Sequence, residues 1–334
     1  MPRQHILPVT LAVLLTAVSA HAQVTIAKVA CPTKINALGP NCYKLSNGTV
    51  DVVVATDIGP RVIHYGFVGG ENILGEVKGS LAEKDKQTWQ AWGGHRVWIA
   101  PEGQPKSYGP DNSPIKYSQV GPNAVRLEQL VEPGTGIQKS MTVTLDATGS
   151  GVTVLNTLTN RNQKPYELAV WALTIMNPVG GTAIIPQEPY ASHDNALLPA
   201  RPLVMWSYTN LTDPRWTIGQ KYLRLSVDPA NKESQKIGVG DKVGWVAYAR
   251  NGLLFVKRLP PYQDSATYPD YGSNVEVYTA ADFLEVESLG PMRTLKPGES
   301  AEHTERWSLH RDVTIGKTTP EKELDATIGP LMQR

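Results

Sequence analysis

The amino-acid sequence predicts an all-β fold, an antiparallel domain of many strands. Short runs that alternate apolar and polar residues, or that are rich in β-branched ones, recur along most of the 334 residues. Clusters of Gly, Asn, Asp and Pro separate them, mostly at hairpin length. Helical 3.6-residue periodicity is confined to few segments.

Taken in order, residues 1–22 stand apart from the fold. Arg3, the apolar run "ILPVTLAVLLTAVSA" and the small-x-small pattern Ala20-His21-Ala22 read as an export signal. The run is too short for a spanning helix, and no later segment is continuously apolar. The expectation is a periplasmic or secreted protein, 23–334 forming one domain, with no stable membrane insertion. Cys31 and Cys42 are the only cysteines and lie close together. In an oxidising compartment they are candidates for a local disulfide, worth about 3 kcal/mol at most for so short a loop. Two separate buried thiols are the alternative.

Strands follow. "TVDVVVAT" (49–56) is β-branched and preceded by the turn "LSNGT". "AVRLEQLV" (124–131), "SMTVTLDA" (140–147) and "GVTVLNTL" (151–158) continue the series, the last two joined by "DATGSG". "TNRNQKP" then leads into "YELAVWALTIM" (166–176). "GWVAYA" (244–249) and "GLLFVK" (252–257) flank the turn "ARNG". "NVEVYT" (274–279), "DFLEVESLGP" (282–291) and "EHTERWSL" (302–309) close the series, with "LKPGES" before the last. "PEKELDATIGPL" reads as a short terminal helix.

Two long irregular segments interrupt the strands, from about 78 to 118 and from about 187 to 216. They carry Trp89, Trp92, Trp98, Tyr108, Tyr190, Trp206, Tyr208 and Trp216, a composition unlike disorder. Ordered aromatic loops of this length suit the rim of a binding cleft. The charge balance, 32 basic against 31 acidic residues, offers nothing to a nucleic acid.

Chemistry-bearing residues concentrate in "WGGHRVWIAPE" (92–102). His95 offers an acid or base, Arg96 a fixed fork of donors, Trp98 a flat apolar face and Glu102 a carboxylate. Sugars need such a set, because ring CH groups stack on Trp while hydroxyls pair with Arg and Glu. An ordinary turn with a packed Trp is the other reading. Arg61 and Lys257 are further cations that either reach a pocket or pair with structural acids. In "FLEVES" the period of two puts Glu285 and Glu287 on one face, turned either to water or to a site. No H-x-H or H-E-x-x-H spacing, thiolate cluster, G-x-S-x-G elbow, phosphate loop or dinucleotide fingerprint is present, so no metal or cofactor is expected.

"NVEVYTAADFLEVESLGPMRTLKPGESAEHTERWSL" resembles the C-terminal region of galactose-mutarotase-like proteins, with a carboxylate-bearing strand before an "L-x-P-G-E" turn. "GGHRVWIAPE" resembles their pocket-lining glycine-rich segment, and "NTLTNRNQKPYELAVWALTIM" their central hairpin. The resemblance extends loosely over most of 23–334. It implies a large antiparallel β-supersandwich with a sugar site, in which a glutamate base and a histidine acid open and close the sugar ring. Glu285 falls on the base position. The central strand holds Trp171 and no histidine, so the acid role passes to His95 or His193. The expected substrate-binding set is Arg61, Arg96, Trp98, Glu102, Trp171, Lys257 and Glu287. The leading expectation is an aldose 1-epimerase-like protein with a mono- or oligosaccharide ligand. A non-catalytic carbohydrate-binding protein is the first alternative, and a lyase or hydrolase acting on a uronate-containing glycan the second.

Overall fold

The computed structural model describes residues 23–33, 39–77, 88–281 and 283–332. The expected export signal at 1–22 lies outside the described residues, as does the 78–87 part of the first irregular segment. The chain opens with β1 (Thr25–Val29), β2 (Cys42–Ser46), β3 (Val50–Ala55), β4 (Arg61–Phe67) and β5 (His95–Ala100). A meander follows: β6 (Lys116–Gly121), β7 (Ala124–Glu128), β8 (Ile137–Leu145) and β9 (Val152–Asn160). The middle of the chain holds β10 (Tyr166–Met176), β11 (Thr182–Pro186), β12 (Leu203–Met205), β13 (Trp216–Ile218), β14 (Tyr222–Ser226) and β15 (Gln235–Val239). Then come β16 (Trp245–Arg250), β17 (Leu253–Arg258), β18 (Val275–Ala280), β19 (Phe283–Leu289), β20 (Arg293–Leu295) and β21 (Ser300–His310).

These strands form two antiparallel sheets. The first runs β1-β2-β3-β4-β5-β10-β19-β18-β15-β12, with β20 paired to β10; the second runs β13-β14-β11-β16-β17-β21-β9-β8-β7-β6. The sheets pack face to face. Val52, Tyr65, Val277 and Val286 of the first meet Val143, Val154, Phe255 and Trp307 of the second in one buried cluster. The terminal helix, Glu321–Met332, lays Leu324 and Ile328 on the other face of the second sheet, against Ile184, Ala247 and Val256. The sequence pattern predicts the antiparallel all-β domain, and the resemblance implies the sandwich, that the structure shows. No helix of the described residues is long and apolar enough to cross a membrane.

One expectation is corrected. The sequence placed "HRVWIA" inside an irregular segment, but it is β5, buried along its whole length and paired with β10 from Ala169↔Ala100 to Thr174↔His95. Its short run opens on His95 and Arg96 and stands between Gly93-Gly94 and Pro101 with no hairpin turn beside it, so nothing in the sequence marks it as a strand. Its entry depends on glycine. At Gly94 φ is +69° and a Cβ would lie 2.2 Å from the Val62 carbonyl oxygen. Cys31 and Cys42 are disulfide-bonded, with Cα atoms 5.1 Å apart. The bond ties the chain just after edge strand β1 to β2.

Candidate functional site

Strand alternation splits the middle of the first sheet into two unlike faces. On β5, β10 and β19 the inward set includes Val97, Ile99, Val170, Leu284 and Val286, which join the apolar clusters between the sheets. The outward set is Arg96 and Trp98, Trp171 and Leu173, Glu285 and Glu287. Register keeps these side by side: Trp171 faces Trp98, Leu173 faces both Arg96 and Glu287, and Tyr278 of β18 faces Glu285.

The outward face carries a cleft of about 430 Å³ whose walls include Trp89, Trp98, Tyr108, Trp171, Tyr208, Tyr278 and Phe283. Trp98 and Trp171 meet edge to face, centroids 5.3 Å apart at 82°. Arg96, Glu102, Ser234, Lys236 and Glu285 supply its polar groups. Arg96 donates from Nη2 to Glu285 Oε1 at 3.0 Å, and its guanidinium lies 4.8 Å from the centre of the Trp98 ring. Lys236 sits between Trp171 and Trp206, 4.7 Å from each ring. Its ammonium pairs with Glu276 at 2.7 Å and Glu287 at 3.3 Å. The Trp171 indole donates to Glu287 at 2.8 Å, and Tyr108 donates to Glu102.

Burial dominates the electrostatics. It pushes the Glu285 carboxyl up to about 7; Arg96 opposes this and the neighbouring charge of Glu287 adds to it. Glu276 is raised well above the usual carboxylate range, again by burial first. For Lys236 burial pulls the other way, but Glu287 and Glu276 outweigh it and hold the ammonium charged.

Five of the expected site residues therefore share the cleft: Glu285, Arg96, Trp98, Glu102 and Trp171. Glu287 lies under them, fully buried and bonded to Trp171 and Lys236. Three do not reach it. His95 adjoins Arg96 on one strand, so it must point the other way, into the sandwich. There Lys257 Nζ donates to Thr174 Oγ1 at 2.8 Å, leaving the Thr174 hydroxyl to donate to His95 Nδ1, also at 2.8 Å. The His95 proton is thus assigned to Nε2, which faces Asn156 Oδ1 at 3.3 Å. Lys257 is likewise internal, 2.8 Å from Glu305, whose second oxygen accepts from the Trp307 indole. Ser288 donates to Glu305 and lies 2.8 Å from His303 Nε2. Burial lowers both His95 and His303 to about 4, whereas Lys257 overcomes burial at Glu305 and holds it at about 2. Arg61 is fully buried, tied to Asp111 and to the carbonyls of Ala91 and Gly93. It braces the loop ahead of β5. His193 stands exposed beside Asp194.

Of the aromatics in the two irregular segments, Trp89, Trp98, Tyr108 and Tyr208 line the cleft, and Trp206 stacks on Lys236. Sequence reasoning missed Lys236, Ser234, Glu276 and Tyr278. "NVEVYT" held a usable signal, because Glu276 and Tyr278 repeat on β18 the same-face spacing of Glu285 and Glu287. Another cavity, about 450 Å³, opens beside Gly290 and reaches His303. Its other polar walls include the exposed side chains of Gln263, Arg293 and Glu302, without a buried ion pair.

No protein-family model matches the sequence, and no curated protein matches it significantly. Solved structures do resemble it. A galactose mutarotase-like protein from Lactobacillus casei aligns at TM-score 0.53 and 13% identity, covering 80% of this chain and 100% of that one. The chain has the galactose mutarotase-like fold. A second galactose mutarotase-like protein, from Clostridium acetobutylicum, aligns at TM-score 0.53 and 11% identity over 86% of this chain and 99% of that one. A TPR-domain containing protein from Parabacteroides distasonis aligns at 0.55 and 14% identity, over 84% of this chain but 48% of its own. Within the galactose mutarotase-like fold of this chain, the cleft lies on the outer face of the first sheet, over β5, β10, β19, β18 and β15.

Proposed function

We propose that the cleft binds a carbohydrate, and does so without a glutamate–histidine acid–base pair. One observation carries the reading: edge-to-face Trp98 and Trp171 stand beside the buried Arg96–Glu285 pair in a single cleft. A pyranose presents an apolar CH face and a polar rim of hydroxyls, and this cleft offers rings to one and charged hydrogen-bond groups to the other. No histidine of the described residues lines the cleft. Of Arg61, Arg96 and Lys257, the cations the sequence offered to a uronate, only Arg96 lines the cleft, and it and Lys236 are both paired with carboxylates. An oxidising location outside the cytoplasm accords with the Cys31–Cys42 bond.

Thermal shift against a panel of hexoses and short oligosaccharides tests this. A sugar at one hundred times its Kd adds about 2.7 kcal/mol of stability, and Trp98→Ala or Trp171→Ala should abolish the shift. If no sugar stabilises the protein, or both Trp variants respond like wild type, the proposal fails. The Glu285 carboxyl near 7 favours a second reading, in which the same cleft also exchanges anomers with Glu285 carrying the proton. Anomer exchange followed by NMR should then fall about 10²–10⁴-fold in Glu285→Gln while binding persists. Equal rates in the two proteins would reject that role.

A further inference from the structure

The cavity beside Gly290 ends on a histidine that the carbohydrate reading does not use. It measures about 450 Å³ and shares no lining residue with the cleft. Leu259 and Pro260 follow β17, Pro291 lies beyond β19, and Val170 and Leu295 belong to β10 and β20, so apolar groups from both sheets wall it. His303 of β21 lines it too, and is only 5% exposed.

The atoms behind His303 fix its tautomer. Burial would raise Glu305, but Lys257 outweighs it and holds the group at about 2, a carboxylate that can only accept. The Ser288 hydroxyl therefore gives its single proton to Glu305 Oε1, 2.5 Å away. Ser288 Oγ is left to accept from His303 Nε2 at 2.8 Å, which puts the ring proton on Nε2. Burial lowers His303 to about 4, with Glu305 opposing and Lys257 adding, so the ring is neutral at pH 7. Nδ1 is then a lone-pair acceptor. It has no hydrogen-bond partner among the described residues, and its neighbours do not seal it off. Gly290 adjoins it without a side chain; a Cβ there would stand 3.6 Å from Nδ1.

A nearly buried acceptor in an apolar cavity favours a donor carried on an apolar body. Charge on the ligand is disfavoured either way. A carboxylate would set its lone pairs against that of Nδ1, and an ammonium would lose its water among leucine and proline side chains. The charged groups in the walls, Arg293 and Glu302, are of opposite sign and give no net preference.

We infer that this cavity is a second binding site, for a neutral hydroxyl compound with an apolar ring, of the phenol or cyclic-alcohol class. The hydroxyl donates to His303 Nδ1, and the ring lies among Leu259, Pro260, Pro291 and Leu295. The site is independent of the carbohydrate reading. Titration of the protein with phenol and with cyclohexanol at pH 7, followed by NMR at the His303 ring nitrogens, tests it. A saturable upfield movement of Nδ1 is expected, and the tighter of the two alcohols identifies the kind of ring. Anisole and methoxycyclohexane keep the rings without the donor, and each should bind at least about tenfold weaker than its alcohol. Gly290→Ala should fold normally, since its Cβ meets no atom closer than 3.6 Å, and should weaken binding by crowding Nδ1. No saturable change at Nδ1 with either alcohol would overturn the site. Ethers binding as tightly as the alcohols would overturn the role of Nδ1. An unchanged affinity in Gly290→Ala, shown folded by circular dichroism, would overturn the placement of the ligand.

Discussion

Replacing His95 by glutamine isolates the energetic effect of one buried proton site. Glutamine offers an acceptor for the Thr174 hydroxyl and a donor toward Asn156, so the hydrogen bonds of the imidazole are largely reproduced. What disappears is the titration. In the folded protein burial lowers His95 from 6.5 to about 4. The unfolded chain therefore binds the proton first, and stability present above pH 6.5 is lost as pH falls toward 4. A drop of that size corresponds to about 3 kcal/mol, a large share of the 5–15 kcal/mol typical of a domain. His303 behaves alike, so wild type should lose the contributions of both and His95→Gln only that of His303. Glu305, lowered from 4.5 to about 2, also loses stability as pH falls through 4.5, because the unfolded chain binds that proton first, but it is common to both proteins. Glu285 runs in the opposite sense, gaining stability as pH falls from about 7, but it is common to both proteins and cancels. Urea unfolding at pH 7, 6, 5 and 4 measures the difference. Wild type and variant curves that stay parallel across this window would refute the assignment of a neutral, buried His95.

Two further outcomes follow from the packing. Lys257→Met should cost about 3–5 kcal/mol by stranding the Glu305 charge, and Lys257→Met with Glu305→Leu should recover much of it; thermal denaturation ranks the three proteins. Gly94→Ala should cost about 1–3 kcal/mol by strain, since its Cβ would meet the Val62 carbonyl at 2.2 Å where φ is +69°; unchanged unfolding would remove that reasoning.

Much of the fold was legible because β-branched runs set between turn residues mark strands whether one face is buried, as in β8, or both, as in β10 and β16. "TVDVVVAT", "SMTVTLDA" and "NVEVYT" declare themselves by β-branching, alternation and flanking turns. The shared orientation of Glu285 and Glu287 was legible from the two-residue period of a strand alone. β5 was not, since its short run opens on His95 and Arg96 and stands between Gly93-Gly94 and Pro101 with no hairpin turn beside it, and the error carried into the site. Read as a loop, "HRVWIA" let His95 and Arg96 converge; read as a strand, it sends them to opposite sides of a sheet. Lys236 gave no signal at all. It is one lysine on the short strand β15, and its role arises from Glu276, Glu287, Trp171 and Trp206, which only the register of four separate segments brings together.

The polar knot inside the sandwich bears on how the two sheets find a single alignment. Apolar side chains tolerate a small slide of one layer over another with little loss, because dispersion contacts are non-directional. Lys257 and Glu305 come from the second sheet, while Thr174, Ser288 and the Val286 carbonyl that they engage come from the first. Each bond has one workable geometry, and a slip of a single strand position would bury the charges without partners. The knot acts as a dowel between the layers. By fixing the inward face of β5, β10 and β19, it also holds Arg96, Trp171 and Glu285 in place on the far side of the same backbone.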